Sequence, residues 1–233
     1  MFRGCSGAVL LTVLIASFAL ASITTLTVER VDGEVQVRHG VEERWETVTA
    51  GITLRPEDTI KTGLNAAALL RRDDGSIYRV PAETVIDVSD FRGMDRDELL
   101  LRLAMEDMLS VPDRIDDDRP VPRTTVLHGS PRSRVDEDAP AADLTLAKFR
   151  VNGARFLIEQ NYRGTAVLKI RETLRLYPDG EYRIGAMMLA AESLESMELF
   201  EEAARYYKTV LDEDADPGTK RTAETRLERI KDR

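Results

Sequence analysis

Between Val31 and Asp90 the chain is built from short apolar alternations divided by Gly and Asp. Val35 and Val37 alternate with polar neighbours, and Ala66, Ala68 and Leu70 form one face of a further strand. Asp32-Gly33 reads as a hairpin turn, because Gly tolerates the positive φ that a tight reversal needs. Pro56-Glu57-Asp58, Thr62-Gly63 and Asp73-Asp74-Gly75-Ser76 are further turns. A period of two, broken by turns about every ten residues, specifies a sandwich or roll rather than a parallel sheet. After Asp90 apolar residues recur every three or four positions instead, which is a helical period. The expected fold class is therefore α+β with two domains. Residues 22–110 form a small all-β sandwich or roll with one flanking helix, residues 111–143 a linker, and residues 144–233 an all-α domain of helical hairpins.

Residues 1–21 read as an address rather than a fold element. Arg3 gives a positive start, Ala8 to Leu20 an apolar run, and Ala19-Leu20-Ala21 a small-x-small cleavage site before Ser22. The run falls short of the ~20 apolar residues that span a bilayer. The expectation is an exported, periplasmic or otherwise extracytoplasmic protein cut near Ala21-Ser22, with an uncleaved anchor as the alternative. Cys5 is the only cysteine and precedes the apolar run, whereas a lipoprotein cysteine would follow it. The mature chain then has no thiol and no disulfide, so its core alone must hold it. The formal net charge of -9 opposes binding to nucleic-acid phosphates and to anionic lipid. Arg119, Arg123, Arg132 and Arg134 form no basic patch, because Asp116 to Asp118 and Asp136 to Asp138 flank them. Membrane contact is expected only if the N-terminal segment stays attached.

The β region resembles the FecR domain family. The resemblance is carried by Gly33, Val35, Val37, Arg38 and Gly40, then Trp45, Ala50-Gly51, Leu54, Asp58, Ile60 and Thr62-Gly63, then Leu69 and Asp74-Gly75-Ser76. It covers roughly Val28 to Val88 and implies an exported all-β binding module. Members of the family that relay iron-uptake signals have a cytoplasmic segment and a spanning helix before the domain. Here only Met1 to Gly4 precede an apolar run that looks cleavable, so that regulatory activity is not carried over.

Asp95 and Glu98 fit a capping box. Leu100 or Leu101, Ala104, Met105 and Met108 follow at helical spacing, and this helix is expected to bury that stripe against the β unit. Residues 111–143 hold five of the nine prolines and two acidic clusters, which suits a linker. Thr124 to His128 could pair briefly as a strand. From Leu144 onward five apolar stripes recur, on Ala147, Val151, Ala154 and Ile158, on Val167, Ile170, Leu174 and Tyr177, on Ile184, Met187, Met188, Ala191 and Leu194, on Phe200, Ala203, Tyr207 and Val210, and on Ala223, Leu227 and Ile230. Short connections make consecutive helices antiparallel. This part resembles a tetratricopeptide (TPR) array. Asn161-Tyr162 matches Leu199-Phe200, 38 residues on, and the second unit fits best through Phe200, Ala203, Tyr207 and Pro217. Gly153, Phe156, Tyr162 and Ala166 fit the first unit with a one-residue offset. The resemblance implies a protein-binding scaffold, whose concave side is formed by the helices containing Phe156, Met187 and Met188.

No catalytic, cofactor or metal set emerges. His39 is read as an exposed strand-end residue, with His128 far away in the linker and no cysteine to complete a metal site. Asp73 and Asp74 are turn chemistry. A carboxylate pair such as Asp58 and Asp74 acting on cell-wall polymer is the enzymatic alternative. Asp212, Asp214 and Asp216, with Gly218 and Glu224, space like calcium ligands, but Pro217 intrudes and an acidic inter-helix loop is the plainer reading. The expected function is a non-enzymatic binding or scaffold protein of the cell envelope, taking protein partners on the helical part and an envelope ligand on the β part. The alternative is the extracytoplasmic sensor of a transmembrane signalling system.

Overall fold

The computed structural model describes residues 25–42, 44–110 and 144–231. The expectations for residues 1–21 and 111–143, with His128 and the Thr124 to His128 segment, lie outside them. The chain is α+β, with a β-rich N-terminal region and a helical C-terminal region. Eight strands come first: β1 (Leu26–Asp32), β2 (Val35–Arg38), β3 (Glu46–Thr47), β4 (Thr53–Leu54), β5 (Thr59–Thr62), β6 (Ala67–Arg72), β7 (Ile77–Val80) and β8 (Thr84–Asp87). A 3-10 turn at Val88–Phe91 leads to α1 (Arg96–Ser110). Then come α2 (Leu144–Glu159), α3 (Arg163–Leu176), α4 (Tyr182–Ser196), α5 (Phe200–Asp212) and α6 (Pro217–Lys231). No helix among the described residues is long and apolar enough to cross a membrane.

The strands form two antiparallel four-stranded sheets, ordered β4-β1-β6-β7 and β3-β2-β5-β8. Leu26, Val28, Leu70 and Val80 from the first sheet meet Val35, Val37, Ile60 and Ile86 from the second in one buried cluster. The turn at Asp73–Ser76 is the expected hairpin, joining β6 to β7 with Asp74 Oδ1 accepting the Ser76 N–H at 2.8 Å. Asp32-Gly33 is not a hairpin. β1 pairs with β4 and β6, whereas β2 pairs with β3 and β5, so this turn carries the chain from one sheet to the other. Gly33 has φ +76°, and a Cβ there would meet Ala66 Cα and Asn65 O at 3.0 Å. The dipeptide was read rightly as a tight turn, but pairing is decided by which sheet each strand completes.

The flanking helix also differs from expectation. Asp95 caps α1 by accepting the Glu98 N–H at 2.8 Å, while the Glu98 carboxylate turns to Arg92 at 2.7 Å. Among the described side chains of α1, Leu99 and Leu103 are buried, and they join Val167, Leu194 and Leu199 in the helical core. Of the stripe expected to be buried, Leu100 is half-buried against the helical core, while Leu101 at 62%, Met105 at 54%, Met108 at 77% and Ala104 are exposed. The spacing was helical, but two apolar faces were available on this helix, and α3 took the other one.

In the helical region the expected stripes supply most of the core. The corners after α2 and α4 share one backbone form. Asn161 and Glu198 have φ of +68° and +60°, followed by Tyr162 and Leu199 at φ -91°. α3 starts at Arg163 and α5 at Phe200, so the equivalent corners lie 37 residues apart rather than the 38 read from sequence.

Candidate functional site

The first helical hairpin is seated on the sandwich. α2 runs over β8 so closely that a Cβ on Gly153 would lie 2.1 Å from the Val85 carbonyl oxygen. Only a residue without a side chain fits, and Gly tolerates the helix interior at a cost of ~1 kcal/mol. Gly164 makes the second close approach, with Met94 Cβ 3.1 Å from its would-be Cβ. At the end of the sandwich Tyr78, Phe91, Phe156 and Tyr162 gather, with ring centroids 4.7 to 6.3 Å apart. Tilted and edge-on aromatic pairs at these separations add attraction beyond their buried area. The Tyr162 hydroxyl lies 2.7 Å from that of Tyr78 and accepts from Arg72 at 3.1 Å. Burial, then the bond to Tyr78, lifts the Tyr162 phenol to about 12.

Lys169 on α3 is the polar centre of this seam. Its buried ammonium donates to Asp87 Oδ2 and to Asp90 Oδ2, each at 2.7 Å. Burial alone would depress the Lys169 ammonium, but Asp90 and Asp87 outweigh it and raise it above its ordinary value. Asp87 shows the same contest: burial opposes its charge, yet Lys169 and the Thr59 hydroxyl, donating at 2.6 Å, bring it down to about 2. Asp90 is raised, because its burial, with the Asp87 charge beside it, exceeds the pull of Lys169. One ammonium thus serves two carboxylates and ties β8 and the turn after it to α3.

Beside this ion set a groove of about 890 Å³ opens between the 3-10 turn, α1 and α3. Met94 and Leu168 give it apolar wall, and Arg92, Arg102, Arg171 and Arg175 stand around it. Arg92 and Arg102 share Glu98, and Arg171 holds Glu106 at 2.8 Å. Arg175 has no ion-pair partner among the described residues. The exposed stripe of α1, from Leu101 to Met108, belongs to the helix that forms one wall.

The residues singled out by sequence fall elsewhere. His39 is partly exposed, but its Nδ1 pairs with Asp58 Oδ1 at 3.0 Å, and Asp58 is only 2% exposed and also accepts the Arg55 N–H at 2.8 Å. The strand-end reading therefore missed a partner. Asp74 sits in the β6–β7 turn of the other sheet, and its carboxyl is lowered by the Ser76 bonds. The geometry gives Asp58 and Asp74 separate partners. Asp216 caps α6, accepting the N–H groups of Gly218 and Thr219 at 2.9 and 3.0 Å, which accounts for that carboxylate without an ion. Phe156 and Met187 are buried, Phe156 in the sandwich cluster and Met187 in the helical core. Trp45, one of the residues that carry the FecR resemblance, lies just before β3. It is half-buried on the outer side, with Arg38 and Lys61 over its ring at 5.4 and 4.4 Å.

Sequence reading missed Lys169, Asp87 and Asp90. One signal was available: a lysine sits at position 169 between Val167 and Ile170 in an otherwise apolar stripe. No protein-family profile matches this chain, and no curated protein matches it.

Proposed function

We propose that this chain is an exported, non-enzymatic binding protein of the cell envelope, with a FecR-like β part joined to a TPR-like helical part. Its protein partner docks on α1 and the groove beside it. The observation that carries this reading is the exposed Leu101, Met105 and Met108 on a helix whose opposite face is buried. Apolar side chains at this spacing are the contact set of helix-in-groove and helix-on-helix recognition, and Met adapts to irregular partners. Arg175, free of an ion pair, supplies a rim charge that an acidic partner residue can meet.

The test uses the full chain in its native host, with a photo-crosslinking residue in place of Met105 and, as control, in place of the exposed Arg221 of α6. A discrete adduct from position 105 alone, lost when Leu101→Asp is added, supports the reading. Equal adducts from both positions, or none from position 105, overturn it. N-terminal sequencing of the mature protein tests export: a start near Ser22 is expected, and an intact Met1 favours an anchored sensor.

A further inference from the structure

The outer face of the β3-β2-β5 half-sheet carries a different kind of surface. β8, at the other side of this sheet, is covered by α2. On the open half, Arg38 lies opposite Thr59, and Lys61 opposite Gln36. Both cations rest on Trp45, the only tryptophan of the chain. Neither has a carboxylate within ion-pair distance among the described residues. Other cations of the described residues do, among them Arg30 with Asp32, Arg92 with Glu98, Lys148 with Glu83 and Arg183 with Glu213. Arg38 donates one bond, to the Thr59 hydroxyl at 3.3 Å, and its Nε is buried without a partner.

We infer that this face binds a carboxylate-bearing segment of an extended acidic peptide, held between Arg38 and Lys61 over Trp45. The indole fixes both cations before the ligand arrives, which lowers the entropy lost on binding. Arg38 is half-buried, and a guanidinium forms charge-assisted hydrogen bonds with a carboxylate. A peptide fits better than a dense polyanion. With a net charge of -9, the protein repels a polymer of high charge density, while a single carboxylate interacts within roughly a Debye length of ~8 Å. β3 is also the terminal strand of its sheet, so main-chain groups at its outer side are available to an extended chain. This surface lies apart from the α1 groove and does not depend on the reading of that groove.

The experiment follows Trp45 emission in the full mature chain at low salt. Three probes are titrated: a capped peptide of alternating Glu and Ser, the same peptide with Gln for Glu, and inorganic phosphate. The expected result is a saturable change with the acidic peptide alone, weakening as NaCl is added. Lys61→Gln is expected to weaken it about tenfold, the size of losing one charge-assisted bond, while Lys61→Arg retains it. Arg38→Gln is expected to act likewise, with circular dichroism confirming the fold, and Arg175→Gln leaves it unchanged. No saturable change, equal binding of the Gln peptide, or full binding by Lys61→Gln overturns the inference. Phosphate binding as tight as the peptide also overturns it, because the site then reads free anions rather than a peptide.

Discussion

The two helical hairpins have the same corner and opposite surroundings. α4–α5 buries Met187, Ala191, Leu194, Ala203, Tyr207 and Val210 within the helices, and no residue of it enters the sandwich cluster. α2–α3 faces two ways: Val151, Ala154, Leu157 and Ile170 turn toward the other helices, while Phe156 enters the sandwich. The polar groups differ accordingly. In the second hairpin Tyr207 donates to Glu195 at 2.8 Å, and Arg226 of α6 reaches the same carboxylate at 3.2 Å from a partly exposed position. In the first, Lys169 is buried between two aspartates. One hairpin therefore packs on helices alone, and the other is turned into a joint. A hairpin becomes a joint by giving up side-chain volume at Gly153 and Gly164 and by placing a charge where the other hairpin has none buried.

The largest effect is expected from Lys169→Met. Removing the ammonium leaves the buried Asp90 and the half-buried Asp87 without their cation, a loss of roughly 3–5 kcal/mol for a broken buried pair. Urea unfolding should show a lower midpoint and separate transitions for the sandwich and the helices. A single unshifted transition would mean that the seam does not couple them.

The same substitution at two glycines sharpens the comparison. Gly153→Ala drives a methyl into the Val85 carbonyl and should cost about 3 kcal/mol, at the upper end for overpacking. Gly185 lies on α4 with nothing within 4 Å of a would-be Cβ, so Gly185→Ala should stabilise by roughly 0.5–1 kcal/mol. Thermal melts of the two variants should move in opposite directions. Movement in the same direction would remove the distinction between the two hairpins.

The smallest effect is expected in alkali. Tyr162 has its phenol at about 12 in the fold against 10.0 when free. The folded chain holds that proton more tightly, so this stability is complete below pH 10.0 and is lost as the pH rises through about 12. Tyr162→Phe should flatten the fall of stability across that window, measured by denaturant midpoint against pH. An unchanged slope would show that the phenol does not tie the corner to Tyr78 and Arg72.

Much of this was legible locally. The helical stripes from Ala147 to Ile230, the Asp73–Ser76 hairpin and the Asp95 cap are each set by residues within a few positions of one another, and the structure keeps them. The candidate surfaces were less legible. α1 offered two apolar faces, and its own sequence contains nothing that says α3 covers Leu99 and Leu103 rather than Leu101 and Met105. Gly153 looked like a repeat position, and its role as a contact with Val85 depends on a strand far back in the chain. His39 looked solitary because Asp58, its partner, is 19 residues away in the turn before β5.

Taken alone, the amino-acid order determined the two periods and the turn chemistry, because backbone geometry and burial periodicity act over one or two turns of chain. The three-dimensional arrangement decided which sheet each strand completes, which face of α1 stays open, and that Lys169 meets Asp87 across 82 residues. Those choices follow from which surfaces exclude water together, a quantity shared between distant segments and written in neither one.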